Sequence, residues 1–228
     1  MSSEATDGAR GEIPVPELRV GVLALQGDVR EHEAVLRGLG AHVVRVRRPT
    51  DLDRLDALVL PGGESSVIDR LSRLTNLRDP LRERIRDGLP VFGTCAGLIL
   101  LADRILDAAP GQETLGGLDV LVRRNAFGTQ TDSFETALVT PAFDGPPVRS
   151  AFIRAPLVEE LGERVEVLAS LPDGRVVGVR QGARIGLAFH PEVSGEDRFH
   201  RLLLEAARGR ADDSAMGRTP RHMPRVRS

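Results

Sequence analysis

Lysine, tryptophan and tyrosine are absent from this 228-residue chain, and cysteine occurs once. All 31 residues of the Lys+Arg count are therefore arginine. A genome-wide bias towards Arg, Ala, Gly and Val codons accounts for this, and it has a chemical consequence. With no lysine there is no side-chain amine for Schiff-base chemistry and no P-loop cation, which disfavours imine catalysis and Walker-type nucleotide binding. A lone cysteine forms no intrachain disulfide and builds no multi-cysteine metal site, as in proteins of a reducing compartment. No apolar run approaches the roughly 18 to 20 residues that span a bilayer, and residues 1–17 lack the apolar core of a signal peptide. A cytoplasmic location away from membranes is expected. The formal charge of -2 creates no global field that would draw nucleic acid. Function has to be read from local sites.

What is present suits one domain with a well-filled core. Three zones are expected: a polar, disordered leader at 1–17, a folded body at 18–208, and a disordered Arg-rich tail at 209–228. The tail's Arg218, Arg221, Arg225 and Arg227 suggest an anion-binding arm, although the composition favours a solvated end. Within the body, apolar runs at 19–25, 42–47, 57–60 and 89–92 read as strands. Helical periodicity at 29–39, 65–74, 81–87 and from 98 alternates with them through Gly-rich turns, and Ser65 is placed to cap the second helix. After about residue 115 the runs shorten. Those at 165–170, 175–180 and 184–189 are separated by Pro172-Asp173-Gly174 and Gln181-Gly182, a hairpin pattern, and 199–207 closes the body as a helix. The fold class is α/β: a three-layer sandwich with a mostly parallel central sheet and an antiparallel C-terminal extension.

Cys95 lies in Gly93-Thr94-Cys95-Ala96-Gly97, after a buried strand and before a helix. Small flanking residues permit a strained turn that lifts the side chain above the sheet edge, as in a nucleophile elbow, and a helix N-terminus favours thiolate. A lone cysteine is otherwise most simply a buried structural residue. The base must come from five histidines. His222 is in the tail, and His32, His42 and His200 have ordinary surface or packing explanations on their helices and strand. His190 follows a strand and precedes Pro191-Glu192, which places an imidazole and a carboxylate at a strand end, where open α/β sheets bind ligands. Pro61-Gly62-Gly63-Glu64-Ser65 also follows a strand; it is a turn whose bare amides suit an oxyanion. Arg124 and Arg154 are candidates to hold a carboxylate.

Together, the cysteine elbow and His190-Pro191-Glu192 resemble the class I glutamine amidotransferases. Five further segments sharpen the likeness: Leu25-Gln26-Gly27 with Arg30-Glu31-His32, Pro61-Gly62-Gly63-Glu64-Ser65, Arg124-Asn125-Ala126-Phe127-Gly128, Asp132-Ser133-Phe134-Glu135 and Phe152-Ile153-Arg154-Ala155-Pro156. In that order they are similar to the glutaminase subunits of pyridoxal 5'-phosphate synthase, over about 20–207. Thr129 departs from the pattern, since many members carry a second arginine after the Phe-Gly pair.

The resemblance implies roles. Cys95 would attack the side-chain amide of L-glutamine, His190 would shuttle protons and Glu192 would orient His190. Backbone amides at Gly63 and Ala96 would hold the oxyanion, with Gln26 organising that region, and Gly63, Glu64, Ser65, Arg124, Ile153 and Arg154 would contact glutamine. No cofactor or metal is implied. The ammonia would pass to a separate synthase subunit, where imine chemistry would have to reside. Alternatives are a glutaminase serving another acceptor synthase, a thiol hydrolase of the α/β-hydrolase type, and a non-catalytic docking subunit.

Overall fold

The computed structural model describes residues 17–126, 134–141, 143–152 and 155–215. The expected leader, apart from Glu17, and the end of the expected tail lie outside them. The first half alternates strand and helix: β1 (Arg19–Leu23), α1 (Val29–Gly38), β2 (His42–Val46), β3 (Ala57–Leu60), α2 (Ser65–Leu74), α3 (Arg78–Arg86), β4 (Val91–Thr94) and α4 (Ala96–Leu101), with one 3-10 turn at Pro49–Leu52. Every residue of β3 and β4 is buried, which is what a strand covered on both faces requires of its sequence. β1 pairs in parallel with β2 on one side and β3 on the other, and β3 pairs in parallel with β4.

The second half supplies β5 (Ala102–Leu106), β6 (Leu118–Arg123), β7 (Phe134–Ala137), β8 (Arg149–Phe152), β9 (Leu157–Leu161), β10 (Glu166–Ser170), β11 (Val176–Gln181), β12 (Arg184–Leu187) and α5 (Arg198–Ala215). β10, β11 and β12 form the expected antiparallel hairpins, and β12 re-enters the sheet parallel to β4. The large sheet runs β2-β1-β3-β4-β12-β11-β9-β6-β5, with β10 on β11, while β7 and β8 form a separate two-stranded ribbon. The expected architecture is therefore present, with a parallel centre and an antiparallel extension.

Strand alternation decides which helices cover which face. Phe92 packs its ring on His32 of α1 and His200 of α5, whereas a side chain at the next residue, Gly93, would run into Gly97 and Leu101 of α4. So α1 and α5 lie on one face and α4 on the other, with α2 packed against α4 and α3 against α2. The C-terminal ends of the parallel strands, at Leu23, Leu60, Thr94 and Leu187, share one edge of the sheet. Among the described residues no helix is long and apolar enough to cross a membrane.

Four local expectations change. α2 is capped by Glu64, whose carboxylate accepts from the Ser66 N–H at 3.3 Å, rather than by Ser65. α3 starts at Arg78, ahead of Pro80, because proline's missing N–H costs nothing in a first turn. α4 opens at Ala96 but stops at Leu101, where Ala102 turns extended (ψ 141°) and begins β5, a strand the apolar pattern did not announce. α5 continues past residue 207 to Ala215. Its last core side chain is Ala207, so burial ends where expected and the helical backbone does not.

Candidate active site

The site is built at the shared strand edge. Cys95 follows β4 directly and takes φ 48°, ψ -101°, a region that costs a non-glycine residue roughly 1–3 kcal/mol. Its N–H donates to the Leu187 carbonyl at 2.7 Å, one step beyond the last paired residues of β4 and β12, which pins the strained residue to the sheet. The glycines beside it are demanded by space. A Cβ at Gly97 would stand 2.0 Å from the Leu60 carbonyl oxygen, so only glycine lets α4 start this close to the end of β3. The thiol is free and partly exposed.

His190 arrives from β12, three residues past Leu187. Phe189 anchors the approach, with ring centroids 6.0 Å from Phe152 and 5.6 Å from Phe199. The chain then turns through Pro191, whose carbonyl accepts from the Glu196 N–H at 3.0 Å, and this folds Glu192 back beneath the imidazole. His190 Nδ1 lies 2.8 Å from Glu192 Oε1, and Cys95 is near enough to stabilise the charged imidazole. With Nδ1 on the carboxylate, Nε2 remains for the sulfur. The imidazole is 30% exposed and the Glu192 side chain 0%. Burial acts most strongly on His190 and disfavours its cation, yet the hydrogen bonds and negative charge of Cys95 and Glu192 outweigh it and hold its pKa up at about 10. The three residues expected to form a triad are thus brought together in the order Cys–His–Glu.

Asp28 belongs to the same cluster, although nothing in its sequence context singled it out. Its Oδ2 is 3.3 Å from His190 Nδ1, so this nitrogen sits between two carboxylates. The ligand atoms of Asp28, His190 and Glu192 all lie within 4.8 Å of one another, close enough to share a metal ion, but Nδ1 and Oε1 already satisfy each other. Gly62 closes this corner. A Cβ there would fall 2.2 Å from His190 Cε1 and 2.7 Å from Asp28 Oδ2.

The remaining expected contacts divide. Gln26 Oε1 accepts from the Glu64 N–H at 2.8 Å and lies against Gly63, so these three form one unit. Arg124, with a side chain only 11% exposed, donates to Glu64 Oε1 at 2.8 Å and thereby joins the same unit. Ser65 is buried, and its hydroxyl accepts from Gln112 Nε2 at 2.9 Å. Ala96 opens α4, where first-turn amides lack acceptors within the helix. Ile153 and Arg154 lie outside the described residues, as do 127–133. β7 and β8 nevertheless pair Phe134 with Phe152, which sets two of the resemblance segments side by side.

For His32 and His200 the sequence leaves surface and packing explanations open, and the structure decides for packing. Both are fully buried under the triad. The signal was their position in the apolar stripes of α1 and α5, alongside Leu36 in one case and Phe199, Leu203 and Leu204 in the other.

A strained cysteine at a strand end, an imidazole from a later strand and a carboxylate two residues beyond it, on this sandwich, are the features of the glutamine amidotransferase class of thiol enzymes. The chain belongs to the SNO glutamine amidotransferase family, whose sequence profile matches residues 22–208. It is 60% identical over 192 residues to "Pyridoxal 5'-phosphate synthase subunit PdxT" of Leifsonia xyli subsp. xyli, covering 84% of this chain and 97% of that protein. The protein of the same description from Kineococcus radiotolerans is 59% identical, with 86% and 97% covered. Among solved structures, one described as a glutamine amidotransferase superposes with TM-score 0.76 at 46% identity, covering 82% of this chain and 98% of the other. PurLQS from Thermotoga maritima, at 20% identity and TM-score 0.62, with 83% and 98% covered, shares the fold.

Proposed function

We propose that this chain hydrolyses L-glutamine to L-glutamate and ammonia as the glutaminase subunit of pyridoxal 5'-phosphate synthase, delivering the ammonia to a separate synthase subunit. The observation that carries the chemistry is the grouping of Cys95, held at φ 48°, with an imidazole whose cation it stabilises and which lies 2.8 Å from Glu192. The biological role rests on the relatives, nearly the whole of whose length this chain covers.

The sulfur attacks the side-chain carbonyl carbon of glutamine, and the carbonyl π pair moves onto oxygen. Amides of Gly63 and Ala96 are the donors assigned to that oxyanion, with Gln26 controlling the Gly63–Glu64 segment through its bond to the Glu64 N–H. As the adduct collapses, the C–N bond breaks and His190 gives its proton to the departing nitrogen, releasing ammonia and leaving a γ-glutamyl thioester. Water then adds as His190 takes a proton from it; the C–S bond breaks and glutamate leaves. The imidazolium favoured by Cys95 and Glu192 is the form required for the first departure. Glutamine's amino acid end falls to Arg124 for the carboxylate and Glu64 for the ammonium, two ions that stand 2.8 Å apart and so present both charges at one place. Ser65 contributes its amide, and Ile153 and Arg154 are assigned to the same end of the substrate.

The test is ammonia release from glutamine by the full chain together with its synthase. Cys95→Ala is expected to abolish release, a loss on the order of 10⁴-fold or more, while still binding the synthase. Undiminished turnover by that variant would refute the mechanism. Ammonia release that never supports glutamine-dependent pyridoxal 5'-phosphate formation would leave the chemistry standing and remove the biological role.

A further inference from the structure

Beneath the triad lies a second tier that the mechanism does not use. His32 Nδ1 is 2.9 Å from His200 Nε2, and His32 Nε2 is 3.0 Å from Thr94 Oγ1 and 3.5 Å from Glu192 Oε1. Both rings are fully buried. His200 Nδ1 is also buried, and it has no hydrogen-bond partner among the described residues.

These contacts decide where the protons sit. Burial, with the charges of His200 and His190 added, holds the His32 pKa well below its ordinary value, and burial holds that of His200 down at about 4. Each ring is therefore neutral and carries one proton. A buried N–H with no acceptor is a rarer and costlier fault than a bare lone pair. His200 accordingly carries its proton on Nε2 and donates it to His32 Nδ1. His32 is then left with its own proton on Nε2. That proton faces Thr94 Oγ1 and the Glu192 carboxylate, which is the arrangement the carboxylate favours as well, since the alternative would point a lone pair at it.

We propose that His32 is a positioning residue of the active site, whose Nε2–H holds Thr94, the residue before the nucleophile, and Glu192, the residue that orients the base. One N–H from α1 thus spans both halves of the triad. The Glu192 oxygen concerned is the one that accepts from His190 Nδ1, and its other oxygen is buried with no partner among the described residues. His32 Nε2–H, 3.5 Å away, therefore adds a second positive dipole facing that carboxylate. The inference rests on the triad reading above, and its tests separate the two.

The first test needs no variant. In the full chain with 15N-labelled imidazoles at neutral pH, His32 is expected to be neutral with its proton on Nε2. A proton on Nδ1, or a cation, overturns the proposal whatever the enzyme's activity. The second uses two near-isosteric variants assayed with the synthase present. His32→Gln sets an amide N–H near the position of Nε2, whereas His32→Asn reaches only the position of Nδ1. His32→Asn is expected to lower kcat by roughly 10- to 100-fold with little change in KM for glutamine, as for a triad displaced by a fraction of an ångström, and His32→Gln to restore most of the loss. Equal losses in both variants, or a change confined to KM, would show a packing role alone. Should either variant unfold, Thr94→Val replaces it: it removes the hydroxyl acceptor at constant shape, is expected to lower kcat in the same way, and contradicts the proposal if kcat is unchanged. If the parent itself releases no ammonia, the triad reading fails, and the 15N result still decides the state of His32.

Discussion

Two tiers of histidine lie one behind the other at the strand ends, and their surroundings drive them in opposite directions. His190, facing a sulfur and two carboxylates, is held at a pKa of about 10. His200, only two residues into α5 and packed against Phe92 and a second imidazole, is held at about 4. Both are desolvated, and desolvation alone would lower both. The difference lies in how the anions act: Glu192 touches His190 directly at 2.8 Å and, with Cys95, over-compensates for lost water, whereas Asp197 and Glu196 raise His200 only through their charge and do not offset its burial. The upper tier is thereby suited to donate a proton to a leaving group, and the lower tier to act as a fixed pair of neutral hydrogen-bonding rings.

The contrast is broken most severely at the carboxylate. Glu192→Gln keeps the shape but removes the anion that holds the imidazolium, and it is expected to reduce ammonia release by about 10²- to 10⁴-fold. The His190 pKa, followed by NMR, should fall in the same variant; a value still near that of the parent would place the source of the raised pKa elsewhere. Gly62→Ala tests the geometry without touching a charge. Its methyl group would enter the space of His190 Cε1 and Asp28 Oδ2, and turnover should drop roughly 10- to 100-fold while the thermal unfolding midpoint changes much less. Retention of full activity would mean that His190 has room the structure does not show.

The two tiers also predict opposite limbs of a stability–pH curve. His190 has a folded pKa above its unfolded value of 6.5, so its contribution is complete below 6.5 and is lost as pH rises towards about 10. His200 has a folded pKa below 6.5, so the unfolded chain binds the extra proton, and stability falls as pH drops from 6.5 towards about 4. Denaturant unfolding of the parent and of two variants would resolve the limbs: Cys95→Ala should flatten the alkaline side and His200→Gln the acid side. Effects on the reverse limbs would contradict the assignment. The smallest expected effect is at Asp28. Its oxygen stands farther from Nδ1 than that of Glu192, and Asp28→Asn should lower turnover only a few-fold, as fits a partly exposed second acceptor. A loss as large as that of Glu192→Gln would make the two carboxylates equal partners.

Much of this was visible along the chain. β3 and α2 have the boundaries their patterns indicate, since a continuous apolar run ending at Pro-Gly-Gly and a periodic stripe each carry their own stops. Cys95, His190 and Glu192 were legible because their chemistry is signalled by immediate neighbours: glycines around the first, a strand end and proline beside the others. Asp28 was not, because its partner is 162 positions away and its flanking residues fit any loop. Ser65 as cap and Ser65 as buried acceptor look alike in sequence. Only the packing of Gln112 tells them apart.

By itself, the sequence determined which residue types could act and where the chain would form strands, turns and helices, since these follow from side-chain chemistry and from periods of two and 3.6 residues. The tertiary structure decided which distant groups meet. Stacking α1 and α5 on one face of the sheet puts His32 against His200, 168 residues apart, directly below Glu192. No local pattern encodes that meeting, because it arises from the order of strands in the sheet. It is this meeting that turned two helix histidines into a buried support for the active site.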